Sequence, residues 1–294
     1  MSSRANKKLL ENLLKNDFPI LLEGIHCTYY LFNDALKNRR VTVRLHNVEY
    51  EYYKQLAKSA KNLFKKLYFL RESKLLESYE KSIANKAGFL TVSEKDKITY
   101  EKRMQAEDVK FLPVFLPFNK ISSETGNGSF CLYHGNLSVS ENEKAVLWLL
   151  DNVFNVVSIP FVIAGKNPSK RLEHIVHQNK NTCLISNPSV AEMNDLIQKA
   201  HIHILPSFNN TGVKIKLLNA LFMGRFVITN DNAIEGTGLD HLCKIANTPG
   251  EYQTALPKLF EQAFTENEIL AREKTLLSLY NNKTNAHQLM QWIC

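Results

Sequence analysis

The sequence predicts an α/β protein built from two parallel-sheet domains. Three observations carry this. Short apolar runs alternate along the chain with longer amphipathic stretches, the pattern of strand–helix–strand units. A stretch rich in Ser, Asn and Gly, Asn119–Ser129, interrupts that alternation once and reads as a linker. The length of 294 residues is enough for two cores rather than one.

Taken in order, residues 2–16 read as an amphipathic helix with Leu9, Leu10, Leu13 and Leu14 on its apolar side. Pro19–His26 (PILLEGIH) reads as a buried strand, and Val41–Leu45 as a second, ending at His46-Asn47. A single long helix is expected from Tyr50 to Ala84. Phe89–Ser93 and Val109–Leu116 are two further strands. Beyond the linker, strands are expected at 130–134, 160–164, 182–186, 201–205 and 226–229. Helices are expected at 141–154, 168–178, 190–200 and 214–222, the last stopped by Gly224. Residues 252–294 read as mostly helical. Strands and helices alternating at these lengths imply parallel sheets covered by helices on both faces.

Composition narrows the classes. Hydrophobic residues make up 44% and charged residues 22%, values of a globular chain. No apolar run approaches the ~20 residues of a membrane span, and the first residues are polar and basic, unlike a secretory signal. Five scattered cysteines without a CxxC pair favour reduced thiols in the cytoplasm over disulfides or a zinc site. The net charge of +8 is uneven. Residues 1–125 hold 23 Lys/Arg against 15 Asp/Glu, and residues 126–294 hold 14 of each. Lys54, Lys58, Lys61 and Lys65 recur at helical spacing. Two readings of that face stand: a solvated surface, or contact with an acidic acceptor or the anionic inner face of a membrane. Nucleic acid is not expected, because the basic residues follow no RNA-binding or helix-turn-helix pattern.

Parallel sheets bind ligands at the carboxyl ends of their strands. Leu205–Ala220 (LPSFNNTGVKIKLLNA) passes from a strand end through a polar loop into a helix bearing Lys214 and Lys216 near its first turn. Free N–H groups, the positive helix end and two lysines suit a diphosphate. A plain helix start with solvated lysines fits the same pattern. Gly135-Asn136 and Gly165-Lys166 each follow a strand and offer backbone or charge to the same phosphates, and Asn187-Pro188 is a candidate rim for a nucleotide base. His46 and Asn47, with Glu49 close by, end a strand in the first domain. They are candidates for hydrogen bonding to a leaving phosphate or a sugar hydroxyl, or for a structural polar cluster with Arg44. His26, after Glu23-Gly24, has a similar place, with Glu23 as its candidate partner. His201 and His203 alternate within a strand and read as structural.

The stretch TGVKIKLLNALFMGRFVITN, with EGTGL after it, resembles the donor-site segment of retaining glycosyltransferases of the two-Rossmann-domain GT-B type. It is most similar to a Bacteroides-type group labelled mannosyltransferases. RLHNVEYEYY, LYHGNLSVSEN and IAGKNPS extend the resemblance over nearly the whole chain. It implies two Rossmann-like domains facing a cleft. It implies transfer of a sugar, a hexose such as mannose, from a nucleoside-diphosphate sugar to a glycan or lipid-linked hydroxyl, in polysaccharide biosynthesis and with retention. The two glutamates of the broader family's donor segment are replaced here by Thr211 and Asn219, on either side of Gly212. This leaves the ribose and sugar contacts to neutral groups. No Asp-x-Asp pair occurs, so a metal-held diphosphate is not supported and no cofactor is expected beyond the donor itself. The expected layout is a partial amino-terminal domain (1–118), the linker (119–129), a donor domain (130–270) and a carboxy-terminal helical segment (271–294). The first domain is expected to be incomplete, because the chain opens on a helix instead of the strand and glycine loop that usually begin it. Two other classes compete: a non-catalytic sugar-nucleotide-binding protein, and a dinucleotide-dependent oxidoreductase. The latter is disfavoured, since no GxGxxG follows a strand.

Overall fold

A computed structural model describes residues 4–60 and 62–294. It forms two compact units. The first contains the chain up to Leu116, together with Thr211–Val213 and Tyr280–Cys294; the second contains Pro117–Asn210 and Lys214–Leu279.

In the first unit, β1 (Ile20–Glu23), β2 (Val41–Arg44), β3 (Gly88–Thr91) and β4 (Val109–Phe111) form one parallel sheet in sequential order. Val43, Phe89 and Leu90 are buried at its centre. The expected helix over 2–16 shrinks to α1 (Lys7–Leu13), capped by Asn6, whose side chain accepts from the Leu9 N–H. Leu9 and Leu14 lie exposed and only Leu10 and Leu13 reach the core. The expected strand 19–26 stops at Glu23. Gly24, at φ 85°, turns the chain into a short 3₁₀ turn, and α2 (Tyr29–Phe32) follows.

The long helix expected over 50–84 is two helices, α3 (Glu49–Ser59) and α4 (Leu63–Ile83). Ala60 adopts extended backbone, and the Asn62 side chain caps α4 by accepting from the Lys65 N–H. The two lie against each other as a hairpin. The Ser73 hydroxyl donates to the Tyr50 carbonyl at 2.8 Å, and the Tyr53 and Phe69 rings are 6.1 Å apart. Lys54, Lys58 and Lys65 are exposed; Lys61 lies outside the described residues. β3 leads into α5 (Glu94–Thr99), an element the periodicity did not suggest. β4 ends at Phe111, short of the expected Leu116, as Pro113 approaches and cannot donate to a ladder.

In the second unit the expected alternation holds closely. β5 (Cys131–Asn136), β6 (Phe161–Lys166), β7 (Thr182–Ser186), β8 (Ile202–Ile204), β9 (Phe226–Thr229) and the short β10 (Lys244–Ile245) pair in parallel, in the order β10-β9-β8-β5-β6-β7. Between them lie α6 (Ser140–Asn152), α7 (Lys170–Gln178), α8 (Val190–Lys199), α9 (Ile215–Met223) and α10 (Asp231–Ile234). α8 begins with a capping box, Ser189 and Glu192 each bonding the other's backbone N–H. α11 (Pro249–Phe260) opens the same way with Thr248 and Glu251, and carries Pro at its first position. α12 (Glu266–Leu279) completes this unit, and α13 (Asn282–Ile293) belongs to the first. His201 and His203 have structural places. His201 Nδ1 accepts from the Gly128 N–H at 3.0 Å, and His203 Nε2 lies 3.1 Å from the Ile197 carbonyl. Among the described residues, no helix is long and apolar enough to cross a membrane.

Candidate functional site

The strand order of the second sheet reverses at the β5–β8 pair: β6 and β7 extend to one side, β9 and β10 to the other. Helices leaving neighbouring strand ends part there, and a crevice opens at the carboxyl ends. A cavity of about 310 Å³ occupies this place. His134, Gly135 and Asn136 line it from the end of β5, Lys166 from the end of β6, and Lys216 and Asn219 from the first turns of α9. The start of α8 supplies Ser189 beside an apolar shelf of Pro188, Val190 and Met193. Two helix amino termini and two lysines thus border one recess, the arrangement that favours a multiply charged anion.

The electrostatics of the recess centre on Lys216. Its Nζ donates to the Tyr133 hydroxyl at 2.8 Å and to Asn142 Oδ1 at 2.9 Å, and lies 4.5 Å from the Tyr133 ring centroid. Burial, followed by the neighbouring Lys214 charge, lowers its pKa to about 7, with Glu141 opposing. Asn142 also donates to the Asn136 carbonyl at 2.8 Å, so one amide orders both the lysine and the loop beside it. His134 is buried and its Nε2 has no hydrogen-bond partner. Burial, with the Lys216 charge behind it, lowers its pKa to about 3, so the ring is neutral. A buried polar atom of this kind is one that a bound ligand satisfies. Gly165 lets the strand ends close beneath the recess, since a Cβ there would sit 1.9 Å from the Gly135 carbonyl oxygen.

Of the donor-site residues expected from the sequence, Gly135, Asn136, Lys166, Lys216 and Asn219 line this cavity. Lys214 stands at the N-cap of α9 without lining it. Asn187, at φ 54°, bonds β6 instead: its side chain accepts from the Asn167 N–H at 2.8 Å, and its N–H donates to the Gly165 carbonyl at 2.8 Å. Its neighbour Pro188 takes the rim position. Thr211 and Gly212 pack in the first unit, where Gly212 fits against the Asn47 side chain and the His46 carbonyl. His134 and Asn142 were missed by the sequence reading, although both lie inside LYHGNLSVSEN. His134 precedes the strand-end glycine, and that position alone was a usable signal.

In the first unit, the carboxyl ends of β1 and β2 carry a second polar group. His46 Nε2 and Glu23 Oε2 are 2.9 Å apart, and Arg44 lies 3.6 Å from the same carboxylate. His26 instead faces Glu49 at 3.7 Å, so the expected His26–Glu23 pairing is exchanged. Asn47 hydrogen-bonds Glu49, whose pKa burial raises despite that bond. With Glu23 accepting from Nε2–H, His46 Nδ1 lies towards Gly24. Below this group sits Glu80, also missed by the sequence reading. It is fully buried, and its Oε1 accepts from the Glu49 N–H at 3.0 Å and from the Tyr100 hydroxyl at 3.2 Å. A larger opening of about 580 Å³ lies at the amino ends of the first sheet. Its cations are already engaged, Arg39 with the Phe18 carbonyl and Lys86 with Asp34, and it lies at the wrong end of the strands for a ligand crevice.

With this geometry in hand, the comparisons are specific about the second unit. Residues 129–262 match the family model of glycosyl transferases group 1. The crevice lies within this matched stretch. An "uncharacterized 44.6 kDa protein in cps region" of Klebsiella pneumoniae is 28% identical over 251 residues, which cover 82% of this chain and 64% of that protein. The chain thus spans less than two thirds of that relative's length. Among solved structures, sucrose-phosphate synthase from Thermosynechococcus elongatus superposes with a TM-score of 0.73 at 13% identity, covering 97% of this chain and 76% of that one. The UDP-forming α,α-trehalose-phosphate synthase from Burkholderia xenovorans gives 0.65 at 13% identity, covering 97% and 75%. At such identities the likeness is one of fold: the α/β architecture with two parallel-sheet domains is that of GT-B glycosyltransferases.

Proposed function

We propose that this protein moves a sugar from a nucleoside-diphosphate sugar to a hydroxyl acceptor. The observation that carries the reading is the recess at the strand-order reversal within the stretch matching glycosyl transferases group 1, bordered by Lys166, Lys216 and two helix amino termini. The diphosphate sits against these cations, which neutralise charge as the nucleoside diphosphate leaves. Val190 and Met193 offer an apolar face to the base, and Asn219 a neutral amide to a hydroxyl. In the first unit, His46, Asn47 and Glu49 handle hydroxyl groups. His46 Nδ1 accepts a hydrogen bond as imidazole and donates one as imidazolium, with Glu23 fixing the ring. The finer reading is a metal-independent, retaining transfer of a hexose such as mannose to a glycan or lipid-linked acceptor. It places polysaccharide assembly at the inner face of a membrane, touched through the basic first part of the chain. The cps-region relative supports the polysaccharide setting.

The test is turnover with UDP- and GDP-hexoses and lipid-linked or oligosaccharide acceptors, with the product's anomeric configuration read by NMR. Transfer with retention is expected. His46→Ala should lower turnover by about tenfold to a hundredfold while leaving nucleoside diphosphate affinity unchanged. Binding of a nucleoside diphosphate with no transfer to any acceptor would replace this reading with that of a sugar-nucleotide-binding protein.

A further inference from the structure

The α3–α4 hairpin leaves an apolar surface in water. In the first two turns of α4, Leu63 is 67% exposed, Phe64 83%, Leu67 56% and Tyr68 54%. At 100° per residue these four fall on one side of the helix, and Leu75, 54% exposed, extends the stripe two turns further. A cluster of large exposed apolar side chains on one helix face marks a surface that something covers. The second half of α4 differs: Leu76 and Ile83 are buried in the core of the first unit. The hairpin therefore packs at its base and projects at its tip.

Charge identifies the cover. Residues 54–75 contain seven Lys/Arg and a single acid, Glu72. Lys65 and Lys66 flank the apolar stripe on α4, and Lys54 and Lys58 are exposed on α3. Long lysine stems lie along an apolar surface while their ammonium groups reach outward, which matches the layering of acyl chains beneath acidic headgroups. Each lysine near an anionic surface adds to the attraction. Neither the charge nor the apolar stripe suffices alone: a basic face is normally solvated, and an apolar stripe without charge would suit another protein equally well.

We propose that the α3–α4 tip is a membrane-docking element, with Phe64 and Leu67 entering the interface of an anionic bilayer and the flanking lysines holding its headgroups. The placement suits the proposed transfer, on whose lipid-linked acceptor this inference rests for its purpose only. α3 begins at the carboxyl end of β2, next to His46 and Asn47, and its 11 residues rise ~16 Å towards the tip. A bilayer held there presents its headgroup hydroxyls on the same end of the first sheet as the His46 group.

The experiment uses the whole chain with phosphatidylcholine vesicles, with and without phosphatidylglycerol, at low and high salt. The wild type should bind the phosphatidylglycerol vesicles and be released by salt. The Phe64→Ser/Leu67→Ser variant should bind about tenfold less or weaker at either salt, with unchanged thermal midpoint and unchanged nucleoside diphosphate binding. The emission of Phe64→Trp should shift to the blue on these vesicles and be quenched by bromine-labelled lipid. Three results overturn the proposal: no binding of the wild type to anionic vesicles, equal binding by the serine variant, or a self-association that the serine variant abolishes without any vesicle binding. The last would make the stripe an interface between copies. Failure of nucleoside diphosphate binding would instead overturn the donor-site reading and leave the vesicle result standing.

Discussion

The two units share one construction rule and differ in what it leaves at the strand ends. Among the described strands the first sheet runs in sequential order, whereas the second reverses at β5 and β8. The reversal makes a recess lined by the part-buried Lys216 and the exposed Lys166. The sequential sheet instead ends in an open polar edge, where the His46 and Glu23 side chains are 59% and 48% exposed. Each unit also anchors its functional helix by a buried ionisable side chain, a base in one and an acid in the other. Arg272 lies at the carboxyl end of α9, donating to the carbonyls of Leu221, Gly224 and Arg225 and lying 4.7 Å from the Phe264 ring centroid. Glu80 lies at the amino end of α3 and accepts from the Glu49 N–H. Arg272 follows the helix dipole as a cation at the carboxyl end, while Glu80 satisfies an N–H left open at the amino end of α3. The lesson is that the site helices are aimed by groups on the far side of the packing, outside the recess and the polar edge themselves.

This comparison breaks most visibly at Arg272. Arg272→Ala leaves three buried carbonyls without their donor and should cost about 1–3 kcal/mol for each. The loss should appear in urea unfolding and as reduced amide-exchange protection in β8 and β9, with β1–β3 unaffected. Equal loss of protection in both sheets would show that the two anchors are not separate.

Glu80 sharpens the contrast through pH. Burial raises its pKa from 4.5 to about 8, against the hydrogen bonds it accepts from Glu49, Tyr50 and Tyr100. The protonated acid is therefore the form the fold prefers. Its contribution is complete below the unfolded value and is lost as pH rises through about 8. Stability should fall by about 5 kcal/mol between pH ~4.5 and ~8 on account of this group. Glu80→Gln, neutral at every pH and equally able to accept from the Glu49 N–H, should flatten that decline. A profile as steep in the variant as in the wild type would assign the decline to other groups.

The second unit was almost fully legible in the sequence, and the reason is physical. Its central strands are buried on both faces, as in β5, where the first four residues are all buried, so continuous apolar runs mark them. Gly224 follows α9 where the helix was expected to stop, in extended backbone. The first unit was read less well because local signals there compete. The apolar run PILLEGIH continues past Gly24, whose positive φ ends the strand. The break between α3 and α4 lies in polar, helix-tolerant residues, and only Asn62 signals it. At the sites, charge and loop position pointed to Lys166 and Lys216. Partners distant in sequence were beyond reach: Glu80 acts on α3 from 31 residues away, and Glu23 holds His46 from 23.

The central claim is that the recess at the β5–β8 reversal holds a nucleoside diphosphate through Lys216, and calorimetric titration tests it directly. UDP and GDP should be titrated into the wild type and Lys216→Met on either side of neutrality. Because the Lys216 pKa is lowered to about 7 in the open recess and a bound diphosphate favours the charged form, binding takes up a proton. Wild-type affinity for at least one of the two should be highest below neutrality and should fall as pH rises. Lys216→Met should bind about tenfold to a hundredfold more weakly at the acidic end, for ~1.5–3 kcal/mol, and should lose most of the pH dependence. Equal affinity of the two proteins across the range, or no binding of either nucleotide, would contradict the account.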